Sequence, residues 1–125
     1  MQIVWLAAGG VLGTLARFFL SHLIQHPLHR HILGFPVGTL AVNLLGCFLI
    51  GIFVSGADRW GWGDNARVFA LAGFCGAFTT FSAIVAESAG LWKGAGLGPA
   101  LANVALSLVF GFAAFAAGAL AARAV

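Results

Sequence analysis

The side chains able to do chemistry here are few, and most stand in apolar company. Thr14, Arg17, Thr39, Asn43, Thr79, Thr80, Ser82, Asn103 and Ser107 lie within long hydrophobic stretches, and no Asp, Glu, Lys or His lies well inside any of them. Glu87 falls nearer an end of the third stretch. Hydroxyls, an amide NH₂ and a guanidinium can all donate to an anion, and a site without an ionised acceptor does not repel one. A cation or proton-coupled carrier is expected to hold a membrane-buried carboxylate. As a set, these residues lean towards anion passage. Each also has a plainer reading: Asn43 as an interhelical hydrogen bond, Thr39 and Ser107 bonded to carbonyls of their own helices, and Arg17 snorkelling to an interface. Phe74, Phe78 and Phe81 recur at helical spacing as packing residues. Aromatic rings are negative on the face and positive at the edge, so these edges can also face an anion without a fixed charge.

Other chemistries lack their residues. His22, His26, His29 and His31 include an i,i+4 pair, but Pro27 interrupts the run and no carboxylate or thiolate completes a ligand set. Cys47 and Cys75 sit in apolar stretches without zinc or redox spacing and read as small buried hydrophobes. There is no nucleophile–base pair, no catalytic carboxylate pair and no phosphate loop, so an enzyme is not expected.

The elements that must position the polar set follow from composition. Of 125 residues, 62% are hydrophobic and only 7% charged. A soluble domain carries roughly 25% charged residues, so most of this surface must face lipid. Apolar segments run over residues 3–24, 35–56, 68–91 and 99–122. A helix of about 22 residues spans ~33 Å, enough for a hydrocarbon core of roughly 30 Å. Trp5, Trp60, Trp62 and Trp92 fall at segment ends, where an interfacial ring is half apolar and half wet. The first segment carries Arg17 and lacks a basic leader, so it reads as a mature helix rather than a signal peptide. The expectation is one all-α integral membrane domain over residues 1–125, multi-pass in the cell inner membrane or plasma membrane. The formal charge of +3 includes no basic run, so nucleic acid is not a partner.

With four spans both termini share a side. Arg59, Arg67 and Arg123 flank that side, and Arg30 and Lys93 the other, with Arg17 nearer the latter. Such a near-tie gives little orientation preference. Four short helices bury little of their own surface, and the spacings Gly9 to Gly13 and Ser107 to Gly111 permit close helix approach. An antiparallel two-fold dimer is the simplest closed assembly of chains inserted both ways. The segment from Gly73 to Ser82 mixes glycines and hydroxyls at mid-depth. It reads either as a continuous, tightly packed helix or as a break whose freed carbonyls can coordinate a cation. Its place on the inferred two-fold axis favours the break.

These motifs resemble the CrcB, or Fluc, family of fluoride channels over nearly the whole chain. Gly9-Gly10-x-x-Gly13-Thr14-x-x-Arg17 is similar to the family's first-helix signature, and Gly38-Thr39-Leu40-x-x-Asn43-Leu44-x-Gly46-x-Phe48-x-x-Gly51 to its second. Gly76-Ala77-Phe78-Thr79-Thr80-Phe81-Ser82 with Glu87 is similar to its third. The resemblance implies a dual-topology antiparallel homodimer that exports fluoride passively through two pores, with a central structural Na⁺ held by backbone carbonyls of Gly76 and Thr79. It also implies a fluoride pathway of Asn43, Phe81, Ser107, Thr39, Thr80, Ser82, Arg17 and Glu87. The chain departs from the pattern at Ile84, where many relatives have a second phenylalanine, at Cys47, where serine is frequent, and at Asn103, where many have tyrosine. Two other readings compete: a small dual-topology exporter of organic cations, which would need a carboxylate in the first helix, and a non-conducting accessory subunit, which leaves the polar set unexplained.

Overall fold

The structure is a computed structural model that describes residues 1–28 and 34–124. His29, Arg30 and His31 lie outside the described residues. Among the described residues four helical spans are long and apolar enough to cross a membrane, Gln2–His26, Val37–Gly56, Asp64–Ala95 and Leu97–Ala124, close to the sequence expectation. Helix α1 is Gln2–Leu28, α2 is Val37–Gly56 and α6 is Leu97–Ala124. The third span is composite: α3 (Asp64–Arg67), a π-helical stretch Val68–Cys75, α4 (Gly76–Phe78), then a break, then α5 (Phe81–Ala95).

Burial is inverted relative to a soluble protein. The core is built from Val42, Ala57, Ala70, Cys75, Phe78, Ala100 and Ala122 together with the polar Asn43, Ser88, Asn103 and Ser107. Large apolar side chains such as Phe19, Leu23, Val109 and Phe112 face outward. Lipid tails are as apolar as leucine, so helices associate through close packing and interhelical hydrogen bonds. Glycines permit that packing. A Cβ on Gly9 or Gly13 would lie 2.3 Å from the backbone carbonyl oxygen of Phe69 or Phe74, so α1 meets the third span backbone to backbone. A Cβ on Gly51 would lie 2.2 Å from the Phe115 oxygen and one on Gly118 2.1 Å from the Phe48 oxygen, so α2 and α6 lock reciprocally. Gly9, Gly13, Ser107 and Gly111 are thus buried within one chain, and these small-residue spacings serve packing inside the protomer.

Gly118→Val is therefore expected to lower thermal stability markedly, since overpacking costs roughly 1–3 kcal/mol and here the obstacle is backbone. Gly98→Ala, with nothing within 4 Å of its added carbon, is expected to be neutral. Thermal unfolding in detergent followed by circular dichroism compares the two.

The ends of the bundle are fixed by polar contacts. Arg59 donates to the carbonyls of Ala122 and Arg123, 3.3 and 2.9 Å away, closing the C-terminus of α6. Arg67 pairs with Asp58 at 2.6 Å and donates to the Trp62 carbonyl. At the other end Gln25 of α1 takes the Gly38 N–H at 2.8 Å and donates to the Phe35 carbonyl, setting where α2 begins. Trp5, Trp60, Trp62 and Trp92 stand at or beyond helix ends, as expected of an interfacial belt.

Candidate functional site: a broken helix and a polar cleft

The chain leaves helical geometry at Thr79 (φ −93°, ψ 153°) and Thr80 (φ −151°, ψ 115°). The break lies within the segment the sequence singled out. Its polar groups are accounted for one by one. The Cys75 carbonyl accepts both the Thr79 N–H, at 3.0 Å, and the Thr79 hydroxyl, at 2.9 Å. The Thr80 N–H, which in a continuous helix would donate to the carbonyl of Gly76, donates instead to Asn43 Oδ1 at 2.8 Å. Asn43 Nδ2 reaches back to the Thr80 carbonyl at 3.4 Å. The Thr80 hydroxyl caps α5 by accepting from the Ala83 N–H and lies 2.9 Å from Ser82 Oγ. A helix end leaves its last carbonyls without intrahelical donors, so the break frees backbone oxygens at mid-span.

The break opens into a cleft. A cavity of about 280 Å³ is lined by Thr14, Arg17, Ser21, Thr39, Asn43 and Thr80, with Phe18, Val42 and Ala83 as its apolar walls. Ser21 and Thr39 also line a second cavity of about 290 Å³, which adds His22, Gln25 and Glu87. Glu87 in turn borders a third, of about 360 Å³, with Gly90, Leu91 and Gly94. Shared walls make these one track, from the break to the end of the bundle where α1 meets α2. Thr39 donates to Glu87 Oε1 at 2.5 Å, and Glu87 Oε2 is buried with no partner among the described residues. Arg17 has no hydrogen-bond or ion-pair partner among the described residues, so its charge is available to the cleft. A larger cavity of about 760 Å³ at the opposite end is walled mainly by Trp5, Leu12, Phe53, Phe69 and Phe74 and offers an ion almost no donors.

The fold thus brings together Arg17, Thr39, Asn43, Thr80 and Glu87. Ser82 touches the set through Thr80 but is exposed. Phe81 does not enter the cleft of its own chain: it opens α5 and is 72% exposed on the outer face. Ser107 is buried apart from the cleft, its hydroxyl without a partner among the described residues. Asn103 is buried one turn before it and donates to Ser88 Oγ at 3.0 Å. Ile84 follows the break within α5, half-buried. Gln25 and Ser88 were not singled out from sequence. For Ser88 the available signal was a hydroxyl inside an apolar span, and for Gln25 an amide just past the end of one. His22 stacks on Phe18 and His26 is exposed, and no His, Cys, Asp and Glu cluster suited to a metal occurs among the described residues.

A bundle of apolar spans with one broken helix, its break opening into a cleft of neutral donors and one guanidinium, defines a multi-pass membrane protein built around an ion-sized polar path. The profile of the family described as CrcB-like protein, Camphor Resistance (CrcB), matches residues 4–119. Among curated proteins the chain is 44% identical to the fluoride-specific ion channel FluC of Solidesulfovibrio magneticus, over 94% of this chain and 92% of that protein. It is 36% identical to FluC of Bacteroides fragilis over the same shares, and 40% identical to FluC of Salinibacter ruber over 95% of this chain and 87% of that one. The chain belongs to the CrcB family, whose members are channels of the cell membrane and not enzymes.

Proposed function

We propose that this protein is a fluoride channel that lets the ion leave the cell passively, down its electrochemical gradient. The observation that carries this reading is the clipped break at Thr79 and Thr80 opening into a cleft lined by hydroxyls, an amide and a guanidinium. Fluoride is small and strongly hydrated, so a path for it must replace its water with several close donors and stay narrow. Asn43 and Arg17 supply such donors along the cleft, the bonded Thr80 and Ser82 hydroxyls leave one proton free at the break, Thr39 lines the cleft with its own proton given to Glu87, and Ser107 holds a hydroxyl in reserve inside the bundle. The two carboxylate oxygens of Glu87 stand at the wider outer cavities, away from the break, and Thr39 occupies one of them. Conduction further requires that no single site hold the ion too firmly, which a series of neutral donors satisfies.

Phe81 supports assembly as a homodimer. Its ring is exposed on a single protomer, and a pathway that uses it needs a second wall that lipid cannot provide. A second copy in the opposite orientation supplies that wall, and the antiparallel arrangement repeats the path to give two pores. The freed carbonyls fit a hard cation, because oxygen ligands suit such ions and unwound backbone in a broken membrane helix coordinates Na⁺. Gly76 and Thr79 of both copies would hold it where the two breaks meet. When bound, Na⁺ supplies a fixed positive charge and a cross-link between the subunits.

The reading is tested with purified protein in liposomes loaded with potassium fluoride, valinomycin shunting the potassium, and release followed with a fluoride electrode beside a parallel chloride assay. Rapid fluoride release with little chloride is expected. Folded, dimeric protein that releases no fluoride overturns the reading.

A further inference from the structure

We infer that Asn43 is a positioning residue for the cation site, and that its oxygen and its nitrogen do different work. The inference rests on the channel reading above. In an unbroken helix the Thr80 N–H would donate to the Gly76 carbonyl. Asn43 Oδ1 takes that N–H at 2.8 Å instead, and so leaves the Gly76 oxygen without its helical donor. The neighbouring carbonyl of Cys75 keeps its donors from Thr79, so the loss of donor is directed to the next residue along. Asn43 is therefore what turns a helix end into an exposed oxygen ligand.

Three further observations support this. Asn43 is only 6% exposed, so little of its side chain meets bulk solvent. The helix that carries it is pressed against the break one turn further on, where a Cβ on Gly46 would lie 2.1 Å from Thr79 Cγ2, which fixes the height of Asn43 relative to Thr80. The amide NH₂ has two hydrogens; one is directed at the Thr80 carbonyl at 3.4 Å, and the other has no partner among the described residues, on a residue that lines the cleft with Arg17 and Thr39. One side chain thus joins the cation site to the anion path, its oxygen holding the break open and its remaining N–H facing the ion.

The test separates the two atoms. Asn43→Asp keeps an oxygen acceptor for the Thr80 N–H and loses the donor; Asn43→Leu, similar in shape, loses both. Each is purified as the dimer, exchanged into N-methylglucamine chloride and titrated with sodium chloride by calorimetry. Loss of a group that orients a metal ligand typically lowers affinity by about 10–100-fold, so Asn43→Leu is expected to bind sodium at least about tenfold more weakly, while Asn43→Asp retains it. Wild-type sodium affinity in Asn43→Leu, or equal loss in both variants, overturns the inference. If Asn43→Leu does not fold, the wild type decides: the Thr80 backbone ¹⁵N resonance is expected to shift and saturate with sodium, and an unmoved resonance overturns the inference. Wild-type protein that takes up no sodium but passes fluoride defeats this inference alone, whereas failure of wild-type fluoride release defeats the channel reading.

Discussion

Asn43→Asp is expected to reduce fluoride efflux at neutral pH by at least about a hundredfold. The substituted side chain lines the same cavity as Thr80, Thr39 and Arg17, and an anion passing the break must come close to it. Two like charges ~4 Å apart at an effective dielectric of about 20 repel by about 4 kcal/mol, and each 1.36 kcal/mol added to a barrier is about tenfold in rate. Arg17 offsets part of this, which is why the expected effect is given as about two decades. Asn43→Ala removes the amide donor and the acceptor of the Thr80 N–H together without adding charge, so a loss smaller than that of Asn43→Asp would show that the added charge dominates. Efflux near the wild-type rate in Asn43→Asp would remove this residue from the pathway.

Phe81→Ile is expected to bring fluoride efflux close to background while the protein stays folded and dimeric. Because the ring is 72% exposed on the protomer, its loss removes little of the packing that holds a single chain together. Isoleucine preserves an apolar surface but has no electropositive ring edge. Losing about 3 kcal/mol of stabilisation at the barrier corresponds to about a hundredfold in rate. Phe112, 76% exposed on α6 and outside the polar track, provides the comparison; Phe112→Ile is expected to leave efflux unchanged. Full turnover in purified Phe81→Ile would exclude a pore role for that ring.

Much of this architecture was legible before any coordinates. The expected span at residues 3–24 corresponds to a helix of Gln2–Leu28, and that at 35–56 to one of Val37–Gly56. Such agreement reflects the solvent: a segment crossing lipid must satisfy all its backbone groups internally, so length and hydropathy alone define the helix. The break was expected only as a region between Gly73 and Ser82. The spacings of Gly9 with Gly13 and of Ser107 with Gly111 suggest close approach between copies, whereas the fold buries them inside one chain. A small-residue stripe says that something approaches closely, and composition does not say which helix does so.

By itself, the sequence determined the number of spans, the interfacial tryptophans, the neutral-donor character of the buried polar set and, through its motifs, the family. These properties depend on local composition and on the lipid that surrounds every span alike. Helix packing alone places the break at Thr79 and Thr80, sets the start of α2 through Gln25, brings Asn103 to Ser88 and joins Thr39 to Glu87. Each of those outcomes depends on how far one helix slides and turns against another. A broken backbone at mid-membrane is stable only where a distant side chain takes up its polar groups, and Asn43 takes up those of Thr80 because packing glycines hold α2 at that height.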